Sequence, residues 1–197
     1  MVYTRVSEKE ILKWLKKNMD KERYEHSLGT AECAKNLALR FGQNPDKAYI
    51  TGLLHDCAKC FDKDKQLKII RNFLQVSDSE IIAPKTWHAP VSAYVAKNEF
   101  GVTDSEILTA IRWHTLGKVN MNTFEKIIFL ADKIEPATRT EDYVQKTKEL
   151  LEEENGLDKA VLNCYKETIK SLVERNLKIS PMTIDIYNHM QDFINVN

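Results

Sequence analysis

The chain has 197 residues, enough for one domain that buries about 70% of the surface its unfolded form exposes. Its composition, 43% hydrophobic and 29% charged, excludes an intrinsically disordered chain, and only six Gly and five Pro speak against a many-turned β fold. Twenty-nine basic residues balance twenty-nine acidic ones, which excludes the basic field of a general nucleic-acid binder. An anionic ligand must then be held by local charge.

Helix signals follow one another along the chain. Ser7 and Glu10 form a capping box, and Ile11, Leu12, Trp14 and Leu15 supply the first apolar face. A second helix is predicted over about 20–41, with Gly42 as its stop. Asn44-Pro45 starts a third, which carries Leu53 and Leu54 into His55-Asp56 and on to Lys59. A fourth covers about 65–74, followed by a turn at 78–82 and Pro84. The next runs from Ala89 to about Phe100 and closes at Gly101. Thr103 and Glu106 read as a second capping box, opening a helix that ends near His114. Thr123–Ile134 is the most apolar stretch and is halted by Pro136. Three further helices are predicted over about 141–153, 157–176 and 181–194, the last capped by Ser180. The charged run 146–154 reads as a solvated helix face.

Four cysteines, Cys33, Cys57, Cys60 and Cys164, make no disulfide framework in a chain of this size. The Cys57-Ala-Lys-Cys60 pair lacks both a βαβ setting and a second ligand pair, so it reads as ordinary helical cysteines. The start of the chain is amphipathic and charged, and reduced thiols in a cytoplasm are expected. The longest apolar runs, such as Ile127–Ala131, fall far short of a membrane span.

Polar residues inside apolar helical runs carry the chemistry. Leu53-Leu54-His55-Asp56 sets an imidazole beside a carboxylate, and Ile127-Ile128-Phe129-Leu130-Ala131-Asp132 ends on another. A carboxylate buried alone costs several kcal/mol, of order, or protonates, and a bound cation removes that conflict. Asp132 has a blander reading, as a partner of Lys126 or Lys133. His26 adds a nitrogen from a different helix. His26, His55, Asp56 and Asp132 form a donor set suited to divalent iron, manganese, zinc or cobalt, and packed helices can converge it in a bundle interior. Arg23 shares the face of His26, and Lys59 lies one turn beyond Asp56, so both are phosphate-binding candidates. Arg112 and Lys118 flank His114 and are weaker ones.

The order of these residues resembles the HD superfamily of metal-dependent phosphohydrolases. Arg23-Tyr24-Glu25-His26-Ser27-Leu28-Gly29, Gly52–Lys59, Trp113-His114-Thr115-Leu116-Gly117 and Glu125–Pro136 are similar to the bacterial YqeK group, and the likeness extends from Arg23 to Tyr187. It implies an all-α HD-domain helical bundle with additional C-terminal helices, one domain over 1–197 with its HD core at about 20–136. It also implies a symmetrical diadenosine tetraphosphate hydrolase, in which a metal acidifies water and the phosphoanhydride is split into two ADP. The cofactor implied is a divalent metal, iron first, with manganese, cobalt or zinc as alternatives, as one or two ions. His88 and His114 match histidines of the family pattern, either completing a second metal site with Asp56 bridging or meeting phosphate directly. Asp56, His88, His114 and Asp132 are thus the implied catalytic residues. Ala89 stands where the family has Gly. Arg139 comes one residue later than the family's arginine, and Arg175, Lys178 and Ser180 lie in a segment that resembles part of its nucleotide pocket. His189 lies outside every motif and reads as structural.

The expected partner is a small nucleotide, with no nucleic acid or membrane, and exposed apolar helix faces would allow a homodimer. Two alternatives keep parts of this reading: an HD-type nucleotidase or phosphodiesterase on another nucleotide, and a non-catalytic nucleotide-binding module.

Overall fold

The computed structural model describes residues 3–81, 84–136 and 141–196. Its helices are α1 (Glu8–Asn18), α2 (Lys21–Arg40), α3 (Pro45–Leu54), α4 (Lys63–Phe73) and the single turn α5 (Asp78–Ile81). After a 3-10 turn at Pro84–Thr86 come α6 (His88–Asn98), α7 (Ser105–Trp113), α8 (Thr123–Ile134), α9 (Glu141–Leu151), α10 (Gly156–Glu174) and α11 (Pro181–Val196). No strand occurs among the described residues. The all-α expectation holds.

Helix starts are set by side chains that satisfy the open N–H groups of the first turn. Ser7 and Glu10 form the expected capping box, and Asn122 with Glu125 forms another at α8. The box expected at Thr103 is absent. Asp104 caps α7 instead, its Oδ1 accepting from Glu106 N at 2.9 Å and Ile107 N at 3.2 Å. The Glu106 carboxylate is drawn away to Lys47 Nζ, 2.7 Å distant. Ser180 does not cap α11 through its side chain, since its buried Oγ has no hydrogen-bond partner.

Two apolar clusters hold the bundle. One gathers α8, α10 and α11 with parts of α2; the other gathers α1, α6 and most of the buried face of α7. Helices α2, α3 and α7 carry residues of both, so the seam between the clusters runs along them. Helix α8 is buried almost all round, from Phe124 to Ile134. Burial of Phe129 or Leu130, each stabilising by about 1.5–3 kcal/mol, fixes it at the centre.

Two glycines allow close approaches that place the site. A Cβ on Gly52 would lie 2.7 Å from Ala31 Cα, so α3 rests directly on the backbone of α2. Gly117 has φ +72°, and a Cβ there would overlap the Tyr165 hydroxyl, which donates to Leu116 O at 2.8 Å. That bond ties the turn after α7 to α10.

Helix α3 stops earlier than expected. His55 donates from Nδ1 to Gly52 O at 2.6 Å, taking the carbonyl that the N–H of residue 56 would use in a continuing helix. The chain then proceeds in tight turns, with Cys57 N on Leu54 O, Lys59 N on Asp56 O and Phe61 N on Ala58 O. Lys59 is therefore not helical, yet it returns beside Asp56. None of the four cysteines is in a disulfide.

Candidate functional site

Ligand-type side chains meet at the seam from α2, the turn after α3, α6, the end of α7 and the last turn of α8. His26 Nε2 lies 3.0 Å from Asp132 Oδ1, 3.3 Å from His55 Nε2 and 4.0 Å from Asp56 Oδ2. His55 Nε2 is 3.6 Å from Asp132 Oδ1 and 3.7 Å from Asp56 Oδ2. On the other side of the same carboxylate, Asp56 Oδ1 is 3.1 Å from His88 Nε2 and 3.3 Å from His114 Nε2, which are 3.3 Å apart. Asp56 is thus common to two groups able to hold a metal ion, one with His26 and His55 and one with His88 and His114. The structure brings together all six side chains that the sequence singled out.

Proton positions follow from the outer partners. The Nδ1 atoms of His55, His88 and His114 contact the carbonyl oxygens of Gly52, Lys85 and Ile111 at 2.6, 2.9 and 2.7 Å. A carbonyl can only accept, so each Nδ1 carries the proton. His26 lies between two carboxylate oxygens, Glu135 Oε1 at 3.0 Å from Nδ1 and Asp132 Oδ1 at 3.0 Å from Nε2; with its proton on Nδ1, its Nε2 lone pair faces the cluster as the others do. Four Nε2 lone pairs and the carboxylate oxygens therefore face one another as acceptors. Asp56 Oδ1 accordingly is buried with no hydrogen-bond partner, despite two imidazoles close by. Acceptors crowded in this way are what a cation resolves, and the nitrogen and oxygen donors suit a divalent transition metal.

The local charges agree. Burial opposes ionisation of Asp56, and its carboxyl falls well below the usual range only through positive charge or N–H donation from His55, His88 and His114, or a cation in their place. Burial likewise opposes ionisation of Asp132, and Lys133 with His26 and His55 overcomes it. Lys133 Nζ sits 3.2 Å from Asp132 Oδ2 and donates to His114 O at 3.0 Å. The bland pairing of Asp132 with Lys133 therefore exists alongside the cluster. Burial pushes His114 down to about 4 and also lowers His88, leaving both rings neutral near pH 7.

A polar cleft of about 310 Å³ opens onto these groups, with Arg23, Lys59 and Thr115 among its walls. Lys59 Nζ is 2.8 Å from His88 Nε2 and 3.6 Å from Asp56 Oδ1. Arg23 is anchored by Asp20 at 3.3 Å. Thr115 also lines a second cavity of about 350 Å³, walled by Leu116, Phe129, Tyr165 and Leu172 and edged by Lys178 and Ser180. The orphaned Ser180 hydroxyl is therefore a wall group of that cavity.

Other candidates fall elsewhere. Arg175 donates from Nε to Ser171 O at 3.1 Å, at the end of its own helix, and lines neither cavity. Arg112 is committed to Glu80 at 2.9 Å and Lys118 to Glu125 at 2.8 Å. Arg139 lies outside the described residues. His189 borders a separate cleft beside Lys118 and Phe193. Ala89 is buried within α6, where alanine suits a helix better than glycine.

A family model described as HD domain matches residues 23–137. The chain belongs to that family. This HD-domain chain is 36% identical over 179 residues to a symmetrical bis(5'-nucleosyl)-tetraphosphatase of Halalkalibacterium halodurans, covering 91% of this chain and 94% of that relative. A Bacillus subtilis protein of the same description is 36% identical over 183 residues, covering 93% and 97%. Among solved structures, a Clostridium acetobutylicum protein described as a predicted HD superfamily hydrolase involved in NAD metabolism superposes with a TM-score of 0.88. It is 34% identical, and the match covers 95% of this chain and 98% of that one.

Three residues of the site escaped the sequence reading. Thr115 Oγ1 lies 3.0 Å from both His88 and His114 Nε2, and its place next to His114 was the only signal. Lys133 was weighed only as a bland partner. Glu135, with no solvent exposure, carried no role in the sequence, although its position three after Asp132 points it toward the same neighbours.

Proposed function

We propose that this HD-domain chain is a metal-dependent hydrolase that splits diadenosine tetraphosphate, or a related dinucleoside polyphosphate, symmetrically into two ADP. One observation carries the reading: the Nε2 atoms of four histidines gather about Asp56, with Asp132 beside two of them, in a chain similar over nearly its whole length to symmetrical tetraphosphatases. His26, His55, Asp56 and Asp132 would hold the ion, iron by preference and manganese, cobalt or zinc as alternatives. When bound, the ion supplies Lewis acidity, lowering the pKa of water from about 15.7 toward about 7 and drawing charge from phosphoryl oxygens.

The chain's own groups do the rest. Lys59 offers its remaining N–H groups to the phosphates, and Arg23 extends the cationic wall outward. His88 and His114 are neutral with Nε2 lone pairs inward, which favours a second cation beside Asp56 Oδ1 over direct donation to phosphate. Thr115 stands at the junction of the polar cleft and the apolar cavity. A purine seated against Phe129 and Leu172, with Ser180 and Lys178 at its edge, would send its polyphosphate past Thr115 to the metal ligands. The second half of the substrate then leaves along the cleft toward Arg23.

The test is turnover with iron, manganese or cobalt supplied. Two ADP per substrate are expected, with activity abolished by chelation and in His55→Ala and Asp132→Ala. Nucleoside plus phosphate as products would instead favour the nucleotidase alternative, and turnover that survives chelation would overturn the metal-dependent reading.

A further inference from the structure

Three of the four inward-facing histidines find their Nδ1 acceptor in the same way. His55 closes α3, His88 opens α6 and His114 closes α7, and each donates to the carbonyl three residues earlier. At a helix end that carbonyl is available to a side chain. His26 lies in the interior of α2, where backbone carbonyls are consumed by the i→i+4 ladder. Its Nδ1–H must be satisfied from another element. Glu135, directly after α8, supplies Oε1 at 3.0 Å from a sequence separation of 109 residues. Its carboxylate has no solvent exposure.

We propose that Glu135 is a positioning residue for the metal centre, fixing His26 in the Nδ1–H tautomer with the Nε2 lone pair turned toward Asp56 and Asp132. Without it, the His26 ring loses the acceptor that keeps its proton on Nδ1, and a proton on Nε2 would donate to Asp132 and close the ligand position. A carboxylate is also a stronger acceptor than a carbonyl, so it makes His26 the most electron-rich of the four rings and the best donor to a cation. Glu135 has no solvent exposure, and it acts through His26. Because it follows Asp132 by one helical turn, α8 sets one ligand directly and a second through Glu135.

The inference rests on the metal-site reading above. Its test is Mn2+ affinity, by calorimetry on chelator-treated protein, for the parent, Glu135→Gln and Glu135→Ala. The ¹⁵N shifts of the His26 ring in metal-free protein report the tautomer independently. Glu135→Gln, whose amide oxygen still accepts, is expected to lose about 10-fold in affinity and to keep Nδ1–H; Glu135→Ala is expected to lose about 100-fold and to populate Nε2–H. In a His26→Ala background Glu135→Gln should cost no further affinity. Parental affinity in the Gln variant overturns the inference, and the Gln variant decides alone if the Ala variant does not fold. A parent that binds no Mn2+ overturns both this inference and the metal-site reading, whereas equal binding by parent and variants overturns only this one.

Discussion

Asp56 has a neighbour set that divides its two oxygens: Oδ2 toward His26 and His55, Oδ1 toward His88 and His114. Thr115 meets the second pair through one hydroxyl, which can donate to only one ring at a time and leaves its oxygen free to accept. Thr115→Val keeps the shape and removes that bond. It is expected to lower kcat about tenfold, the worth of one hydrogen bond near 1.4 kcal/mol, with bound metal unchanged by elemental analysis; Thr115→Ser should restore it. Lys59→Met removes a cation rather than a hydroxyl, and should lower kcat/KM by about 10²-fold, with the larger loss in kcat. The polar residues that could be read from sequence were those that broke an apolar run. His55, Asp56 and Asp132 did so because burial of a charge demands a reason. Glu135 did not, because a glutamate between a helix end and a proline looks solvated until the opposing ring of His26 is in view. Arg175 shows the reverse error: a cation in the expected segment that bonds its own helix end.

Most helices could be read from caps and periodicity, and the departures have local causes. Thr103 lost its capping role to Asp104, whose carboxylate reaches two N–H groups at once. Lys59 left the helix because the His55 ring occupies the Gly52 carbonyl. Both contests depend on side-chain reach, which spacing does not encode. The close contact of α2 with α3 makes a sharp test. Gly52→Ala pushes a Cβ into the Ala31 backbone, which has no flexible end to yield. It should destabilise by about 1–3 kcal/mol in denaturant unfolding and also weaken metal binding, since His26 and His55 ride on those two helices. Asp104 gives a pH test at the opposite end of α7 from His114. Burial alone would raise it, but the hydrogen bond from Lys47 and those from Ile107 and Glu106 hold it below its ordinary value. A carboxyl depressed in the folded state contributes stability above its unfolded pKa and loses it as pH falls through the folded one. Asp104→Asn should therefore lose less stability than the parent between about pH 5 and pH 3 in thermal melts, while keeping the N-cap.

Across the whole molecule, the site sits where two apolar clusters meet, so the polar seam is also a mechanical joint. Phe129 and Tyr165 stack with centroids 5.1 Å apart on one side of it, and Leu53 and Ile111 are fully buried on the other. No helix among the described residues is long and apolar enough to cross a membrane. The metal-free chain must hold inward lone pairs and two carboxylates together with protein groups alone, Lys133 and Lys59 being among the nearby cations. A ligand that binds the folded form alone stabilises it by RT ln(1 + [L]/Kd), about 2.7 kcal/mol at a hundredfold excess over Kd. In a domain of this size each kcal/mol moves Tm by about 2–4 °C, so saturating metal should raise Tm by about 5–11 °C. The same addition to Asp56→Asn should move it far less, because that carboxylate is common to both ligand groups. In His88→Ala the outcome separates one ion from two: if a single ion sits among His26, His55, Asp56 and Asp132, the rise persists undiminished. If a second ion shares Asp56 Oδ1, the rise shrinks and titration calorimetry drops from two equivalents to one.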